Sequence, residues 1–251
     1  MAKAIEKTRR TKQPMSAQAD DRLLSQKAYQ QVRDEILRGD LSIGDILSRR
    51  QLADRLNMSF LPVTEALQRL EADGLVESKP RIGTRVRIPT EQDILNSYVI
   101  REALESQAAR LCAEYISPAE KKQLQSNARR LDELQRLCQG DTVDPGFMFS
   151  VHSYHMQFHM RIAELSRCPG LRNAIEKEQI LVFNWLYDIA AQRQTFPPNF
   201  HMKLATALCS GSTSRADSTM RAHVRYGLKQ VLDWAVSFSQ ADRWRQKSAK
   251  K

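Results

Sequence analysis

The sequence has few cysteines and no long apolar run. Its four cysteines are widely spaced and form no CxxC pair, unlike a disulfide framework or a cysteine-based metal site. The chain starts without the charged and then apolar segment of a secretory signal, and no window approaches the about 18 apolar residues of a membrane span. We therefore expect a cytoplasmic protein with no membrane partner and with reduced thiols at Cys112, Cys138, Cys168 and Cys209.

Short motifs of common enzyme classes are also missing from the sequence. It has no HExxH helix of zinc hydrolases, no GxSxG turn around a nucleophilic serine and no glycine-rich phosphate loop. The repeated glutamates of a di-iron bundle are missing too. These absences predict that the protein is not an enzyme.

Acidic residues are scarce at the two ends of the chain. Residues 1–89 contain 17 basic and 12 acidic side chains, residues 90–240 contain 17 and 16, and residues 241–251 contain five and one. A solvated surface gives such an excess, and so does a module that faces phosphates. We predict four regions: a disordered basic arm (1–19), a first domain (20–89), a second domain (90–240) and a basic tail (241–251).

The pattern of residues 20–74 predicts a helix-turn-helix. Apolar residues recur at helical spacing over 23–37, and a second helix starts after Ser48. Asn57–Met58 suit a tight turn, and Ser59 is placed to cap a third helix over 61–73. Two helices joined by a turn of this length form the motif that inserts a recognition helix into DNA.

A β-hairpin is predicted directly after the third helix. Residues 75–78 and 84–88 alternate between apolar and polar side chains, and residues 79–83 contain proline and glycine. This wing has four basic side chains suited to phosphates or to the minor groove. They are Lys79, Arg81, Arg85 and Arg87.

After Pro89 the pattern is entirely helical. Thr90 is placed to cap one helix, and residues 117–120 form a capping box with proline at the first helical position. Further helices are predicted over 147–167, 170–194, 198–209 and 213–240. The fold class is therefore mainly α, with an N-terminal winged helix-turn-helix and a C-terminal all-α bundle.

The segment SRRQLADRLNMSFLPVTEALQRLEADGLVESKPRIGTRV resembles the DNA-binding domain of the GntR superfamily of bacterial transcription regulators. In that family the recognition helix opens with a serine, here Ser59, and has arginines where this chain has Phe60 and Thr64. The resemblance implies that Arg50 contacts DNA and that Gly83 forms the wing tip. The expected DNA-binding residues are Arg50, Ser59, Thr64, Lys79, Arg81 and Gly83.

The two missing arginines matter because a bidentate contact between arginine and guanine contributes about 1–3 kcal/mol of discrimination. We expect an operator that differs from the family's usual one. Phe60 either contacts a thymine methyl group or covers the core of the helix-turn-helix.

Most of residues 90–240 resembles the FCD ligand-binding domain of the FadR-like branch of that superfamily. The matching stretches include REALE from Arg101, SRCPGL from Ser166 and MRAH ending at His223. Many members hold a divalent metal, commonly zinc or nickel, with one aspartate and three histidines. His159, His201 and His223 match the histidines, whereas His155 stands at the aspartate position.

The residues themselves agree with a metal site. His155 and His159 lie one helical turn apart and so share a face. A lone histidine on an apolar face is usually structural, which is how we interpret His152, but three at the family's spacing favour ligands. We predict a divalent metal held by His155, His159, His201 and His223.

An all-imidazole site leaves the ion its full positive charge, which favours an anion. The resemblance implies an organic acid as effector, with Arg101 as its carboxylate partner. The alternative is a surface arginine that pairs with Glu105 one turn later.

These features predict a metabolite-responsive transcription regulator that binds near-palindromic operator DNA as a homodimer. Three alternatives stay open: a regulator that senses the metal itself, a regulator that has lost the metal and binds a larger ligand such as an acyl thioester, and a metal-dependent enzyme.

Overall fold

The structure, a computed structural model, describes residues 15–80, 83–139, 143–178 and 196–248. The chain divides into two compact units. The first contains the chain up to Asp34 together with Asp45–Val86, and the second contains Glu35–Gly44 and the chain from Arg87. Residues 35–44 belong to the second unit, where Ile43 packs against its core.

The first unit is a winged helix-turn-helix. Its elements are α1 (Met15–Arg38, whose end extends into the second unit), β1 (Ile46–Leu47), α2 (Arg49–Leu56), α3 (Phe60–Ala72), β2 (Val76–Lys79) and β3 (Gly83–Val86). Ser48 caps α2 by accepting a hydrogen bond from the Gln51 amide, and Asn57 ends it in the left-handed region at φ 51°. The side chains of α3 that form the core include Val63, Leu67 and Leu70.

The wing has one strand more than the sequence predicted. Within the described residues the sheet has three antiparallel strands in the order β1-β3-β2. Val76 pairs with Val86 and Lys79 with Gly83, as expected for the hairpin, while Ile46 of β1 pairs with Arg85. A strand of two residues is too short to produce an alternating pattern, so the sequence did not indicate it.

The second unit is all-helical. Its elements are α4 (Glu91–Tyr115), α5 (Pro118–Leu137), α6 (Pro145–Leu165), α7 (residues 169–178), α8 (Phe200–Leu208) and α9 (Thr213–Ser248). Both predicted caps are present, since Thr90 forms a capping box with Asp93 and Ser117 forms one with Glu120. Helix α4 contacts α6, α8 and α9, and α5 contacts α6 and α8. The mainly α fold class is thus confirmed.

The ends of α1 and α9 differ from the predicted boundaries. Residues 15–19 begin α1 and residues 241–248 end α9, so these parts of the predicted arm and tail are helical and not disordered. Both stretches have few large apolar side chains, but they are rich in good helix formers such as alanine, glutamine and arginine. Residues 1–14 and 249–251, and residues 179–194 of the predicted seventh helix, lie outside the described residues.

None of the helices in the described ranges is both long enough and apolar enough to cross a membrane.

Candidate metal centre and nucleic-acid interface

Four histidines from three helices converge inside the second unit. His155 and His159 lie on α6, His201 on α8 and His223 on α9. His155, His159 and His223 each offer one nitrogen, and these nitrogens lie within 4.8 Å of one another. The ring centre of His201 is 4.8 Å from that of His155 and 5.1 Å from that of His223. The structure therefore brings together all four residues predicted as ligands.

The spacing of the nitrogens suits a shared metal ion. The Nε2 atom of His159 lies 2.9 Å from Nε2 of His155 and 3.2 Å from Nε2 of His223. Two imidazole nitrogens, each about 2.0–2.1 Å from one ion, lie about 2.9–3.4 Å apart at tetrahedral or octahedral angles. Lone pairs that face each other at this distance repel unless a proton or a cation lies between them.

Glu105 fixes the orientation of His159. The Nδ1 of His159 lies 2.6 Å from Oε2 of Glu105, and both side chains are 3% exposed. A carboxylate accepts the Nδ1 proton, which leaves Nε2 unprotonated and turned toward the other imidazoles. Glu105 is held in turn by Arg101, whose Nε donates to its Oε1 at 2.8 Å.

Asp132 plays the same part for His201. The Nδ1 of His201 lies 2.8 Å from Oδ1 of Asp132, and the same carboxylate accepts hydrogen bonds from the backbone amides of His201 and Met202. The His201 side chain is fully buried, and its Nε2 has no hydrogen-bond partner in the part of the chain that the structure describes. A buried imidazole nitrogen without a partner is costly, and a metal ion at the cluster would satisfy it. The donor set therefore fits a divalent metal.

Burial favours the neutral form of three of these imidazoles. The pKa values of His155 and His223 lie well below 6.5, first because the rings are desolvated and then because neighbouring imidazoles such as His159 and His201 repel a proton. Burial also lowers the pKa of His201, although Asp132 partly offsets this effect. Neutral imidazole is the form that binds metals.

Glu105 is ionised despite its burial. Desolvation alone would raise its pKa, but the charge of Arg101 and the interaction with His159 outweigh it and lower the pKa to about 2. The Arg101 guanidinium also lies over the Tyr98 ring, 4.8 Å from its centre. Arg101 thus makes the predicted pair with Glu105, but it is 9% exposed and not on the surface.

A small cavity adjoins the histidines. Its volume is about 40 Å³, and its lining includes Arg101, His155, His159 and His223. Aromatic rings form another part of its wall: Phe200 stacks on His223 with ring centres 4.3 Å apart, and Tyr226 lies 4.9 Å from Phe200. Arg101 therefore lies where the sequence analysis expected it, beside the predicted metal ligands.

Sequence reasoning missed two of these functional residues. It assigned Glu105 only as a partner of Arg101 and did not consider Asp132. Glu105 had a weak signal, because an ionisable residue on the apolar stripe of a buried helix needs partners. Asp132 had no such signal in the sequence, since its position on α5 does not indicate which loop or helix lies against it.

Among the described residues, most of the predicted DNA contacts are exposed on the first unit, and Thr64 is half-buried. Arg50 is exposed in the first turn of α2 and has no hydrogen-bond or ion-pair partner among the described residues. Ser59 precedes α3, but its side chain makes no capping hydrogen bond, which corrects the predicted cap and leaves the hydroxyl available for a phosphate. Thr64 donates to the Phe60 carbonyl at 2.8 Å.

Phe60 does not cover the helix-turn-helix core. It is 53% exposed at the start of α3, and its neighbour Leu61 is 55% exposed. Of the two interpretations, exposure is compatible with contact to a thymine methyl group.

The wing is less positive than its sequence suggested. Lys79 and Arg85 both pair with Glu77, at 3.0 and 2.6 Å, and Arg87 pairs with Asp93 at 2.7 Å. Arg81 lies outside the described residues. Gly83 has φ 98°, a conformation that residues with side chains rarely adopt, and its Cβ position is open.

The family comparisons agree with this architecture. Residues 24–86 match the gntR family of bacterial regulatory proteins, and residues 96–226 match the FCD domain. The chain therefore belongs to the gntR family and contains an FCD domain, which makes it a DNA-binding transcription regulator.

Its relatives are transcription regulators too. A probable D-xylose utilization operon transcriptional repressor of Paenarthrobacter nicotinovorans is 42% identical over 96 residues, 37% of this chain and 42% of that protein. The uncharacterized regulator YdhC of Bacillus subtilis is 27% identical over 154 residues, 61% of this chain and 66% of YdhC. These two matches span less than two thirds of the relatives' lengths. The repressor RspR of Escherichia coli is 24% identical over 206 residues, 80% of this chain and 86% of RspR.

Solved structures show the same fold. A GntR regulator from Rhodococcus sp. RHA1 gives a TM-score of 0.68 at 21% identity, with 83% of this chain and 97% of that chain covered. The Escherichia coli protein McbR/YncC gives 0.66 at 20% identity, with 84% and 98% covered. At these identities the likeness concerns the fold alone.

Proposed function

We propose that this regulator binds a divalent metal, zinc or nickel, at His155, His159, His201 and His223, and that a small carboxylate at this centre controls its affinity for operator DNA. The observation that supports this most strongly is the pair of carboxylates, buried Glu105 and partly buried Asp132, that turn the Nε2 atoms of two imidazoles inward. Imidazole ligands suit both metals.

The charges of the centre favour an anion. Burial lowers the pKa values of His155, His201 and His223, and the positive charge of Arg101 is balanced by Glu105. A bound divalent ion would supply a positive charge of about two, uncompensated by its ligands, to which a carboxylate is attracted. Arg101 lines the same cavity and is positioned to orient the anion.

The size of the cavity limits the effector. One water needs about 10–15 Å³ of such space, so about 40 Å³ holds about three waters. Aromatic side chains, including Phe196 and Phe200, surround this space and offer apolar contact. We infer that the effector is a short monocarboxylate with an apolar end rather than a tricarboxylate.

The test of this function is a thermal-shift titration with propionate, butyrate and citrate. We expect propionate and butyrate to raise the melting temperature of metal-loaded protein but not of chelated protein, and citrate to have no saturable effect. Exclusive binding of citrate, or an equal response without metal, contradicts the proposal.

The variant Gly227→Ala distinguishes effector binding from metal binding. A Cβ atom at Gly227 would lie 3.3 Å from Oη of Tyr98, at the wall of the cavity. In the interior of α9, alanine itself favours the helix by about 1 kcal/mol. We therefore expect Gly227→Ala to retain metal and to bind butyrate more weakly than the wild type.

Metal should be lost as the pH falls, and the burial of the histidines should shift this loss to low pH. Protons compete with the metal for imidazole, and the pKa values of His155 and His223 lie well below 6.5. These two imidazoles therefore stay unprotonated at pH 6.5, and their release of the metal is expected only at lower pH. Elemental analysis after dialysis at stepwise lower pH measures this, and half-release at or above pH 6.5 argues against a buried site.

We further propose that the protein binds its operator as a homodimer, because one short recognition helix reads too few base pairs for useful specificity. Arg50→Ala should weaken binding to all sequences alike and reduce the salt slope by about one, as loss of a phosphate contact does. Arg130→Ala, on α5 of the helical unit, is the control. Unchanged affinity and salt slope for Arg50→Ala would show that this arginine does not contact DNA.

A second candidate function is a regulator that senses the metal itself, because the small cavity leaves little room for an organic effector. In that case the metal alone changes operator affinity and no carboxylate changes it further. Operator titrations with metal, and with metal plus butyrate, separate the two functions.

A further inference from the structure

A second, larger cavity lies on the outer side of α5. Its volume is about 320 Å³, and it is lined by α5 and by the segment that leads into α8. None of the four histidines lines it. The two cavities are lined by different residues except Phe196, which lies in the wall of both.

Two arginines and two carboxylates line this cavity, and they differ in their partners. Arg129 and Arg136 line it, both are exposed, and neither has a hydrogen-bond or ion-pair partner among the described residues. The acidic residues of the lining are engaged elsewhere. Both oxygens of Asp132 accept hydrogen bonds at the start of α8, and Glu133 faces Arg130 at 3.6 Å.

The lining also contains a buried amide whose oxygen accepts no hydrogen bond from the described residues. Gln135 is 7% exposed, and its Oε1 has no hydrogen-bond partner. A buried amide oxygen without a partner is costly in a folded protein. A carboxylate has no proton to donate to it, but a water between the two can donate to both. Phe196 and Pro197 add an apolar part to the same lining.

We propose that this cavity binds a compact dianion, such as a small dicarboxylate, as a second ligand of the regulator. Arg129 and Arg136 are seven residues apart on one helix, which places their Cα atoms about 10 Å apart on nearly the same face. Their long side chains can reach the two ends of one dianion, because a guanidinium forms strong paired hydrogen bonds with carboxylate or phosphate groups. The apolar middle of such a ligand would contact Phe196.

The position of the cavity links it to the metal centre. Asp132 lines the cavity and also holds the imidazole and the amide of His201. A ligand that shifts Asp132 would change the orientation of His201. The proposal itself does not depend on the metal, because none of the residues that would bind the dianion is a candidate metal ligand.

Calorimetry with glutarate tests this site in full-length protein stripped of metal on a chelating resin, so that binding at the metal centre cannot contribute. Pentanoate, which has the same carbon chain and a single carboxylate, is the matched ligand. We expect saturable binding of glutarate and at least about tenfold weaker binding of pentanoate, since one charge-assisted contact is lost.

The matched variants remove two positive charges each from α5. Arg129→Ala/Arg136→Ala should weaken glutarate binding at least about tenfold, whereas Lys121→Ala/Lys122→Ala, both outside the lining, should retain it. Circular dichroism verifies that both variants fold. Equal losses in the two variants, equal affinity for pentanoate, or no saturable binding of glutarate would each overturn the proposal.

Discussion

Replacement of His159 and His223 by alanine is expected to abolish metal retention. The Nε2 of His159 makes both of the close nitrogen contacts in the cluster, at 2.9 and 3.2 Å, so its loss removes the central ligand. The remaining imidazoles come from positions 155 and 201 and leave half of the proposed coordination sphere. The loss of affinity should exceed the about 10- to 100-fold that changes in outer partners produce.

Elemental analysis of untagged protein measures this loss, and His152→Ala is the control. His152 lines the same cavity on α6 and is the histidine that the sequence analysis interprets as structural. The control should keep stoichiometric metal. Operator affinity without effector should be the same in all three proteins, because every histidine of the sequence lies after position 150. Stoichiometric metal in the double variant would exclude this site.

Glu105→Ala is expected to have a large effect on both stability and metal binding. Glu105 is 2% exposed and neutralises Arg101, which is 9% exposed. Removal of one partner of a buried ion pair costs about 3–5 kcal/mol because the other charge stays buried without compensation. Loss of the acceptor for the Nδ1 proton of His159 should also lower metal affinity about 10- to 100-fold.

Glu102→Ala is the matched control on the same helix. Glu102 pairs with two arginines, Arg221 and Arg225. These ion pairs are more exposed than that of Glu105, since the Arg225 side chain is 66% exposed. Exposed ion pairs contribute about 0–1 kcal/mol, so this variant should lose little stability and keep its metal. Chemical denaturation and metal competition measure the two effects. Similar results for Glu105→Ala and Glu102→Ala would mean that Glu105 does not orient His159.

Periodicity and capping in the sequence determined most of the fold. The turn at Asn57–Met58, the cap at Thr90 and the capping box at Ser117 placed helix ends within a few residues of where the structure has them. Such signals are local, since a cap or a turn depends on residues close in the chain. The same locality explains the errors at residues 15–19 and 241–248, where good helix formers extend a helix without an apolar stripe.

The surface chemistry of the DNA-binding unit depended on tertiary structure. Four basic residues of the wing could be counted in the sequence, but the strand register decided that Glu77 neutralises both Lys79 and Arg85. Similarly, both interpretations of Phe60 were compatible with the sequence, and only its 53% exposure decided against the core. Side chains on neighbouring strands or helices meet only after those elements pack.

The sequence by itself determined that His155 and His159 share one helix face, because a helix repeats every 3.6 residues. With the family resemblance it also identified His201 and His223, but not how any of them is held. Only the packing of α4, α5, α6, α8 and α9 placed Glu105 on His159 and Asp132 on His201, across 54 and 69 residues of chain. Residues so far apart meet through the burial of many apolar side chains, and no local pattern records which faces will meet.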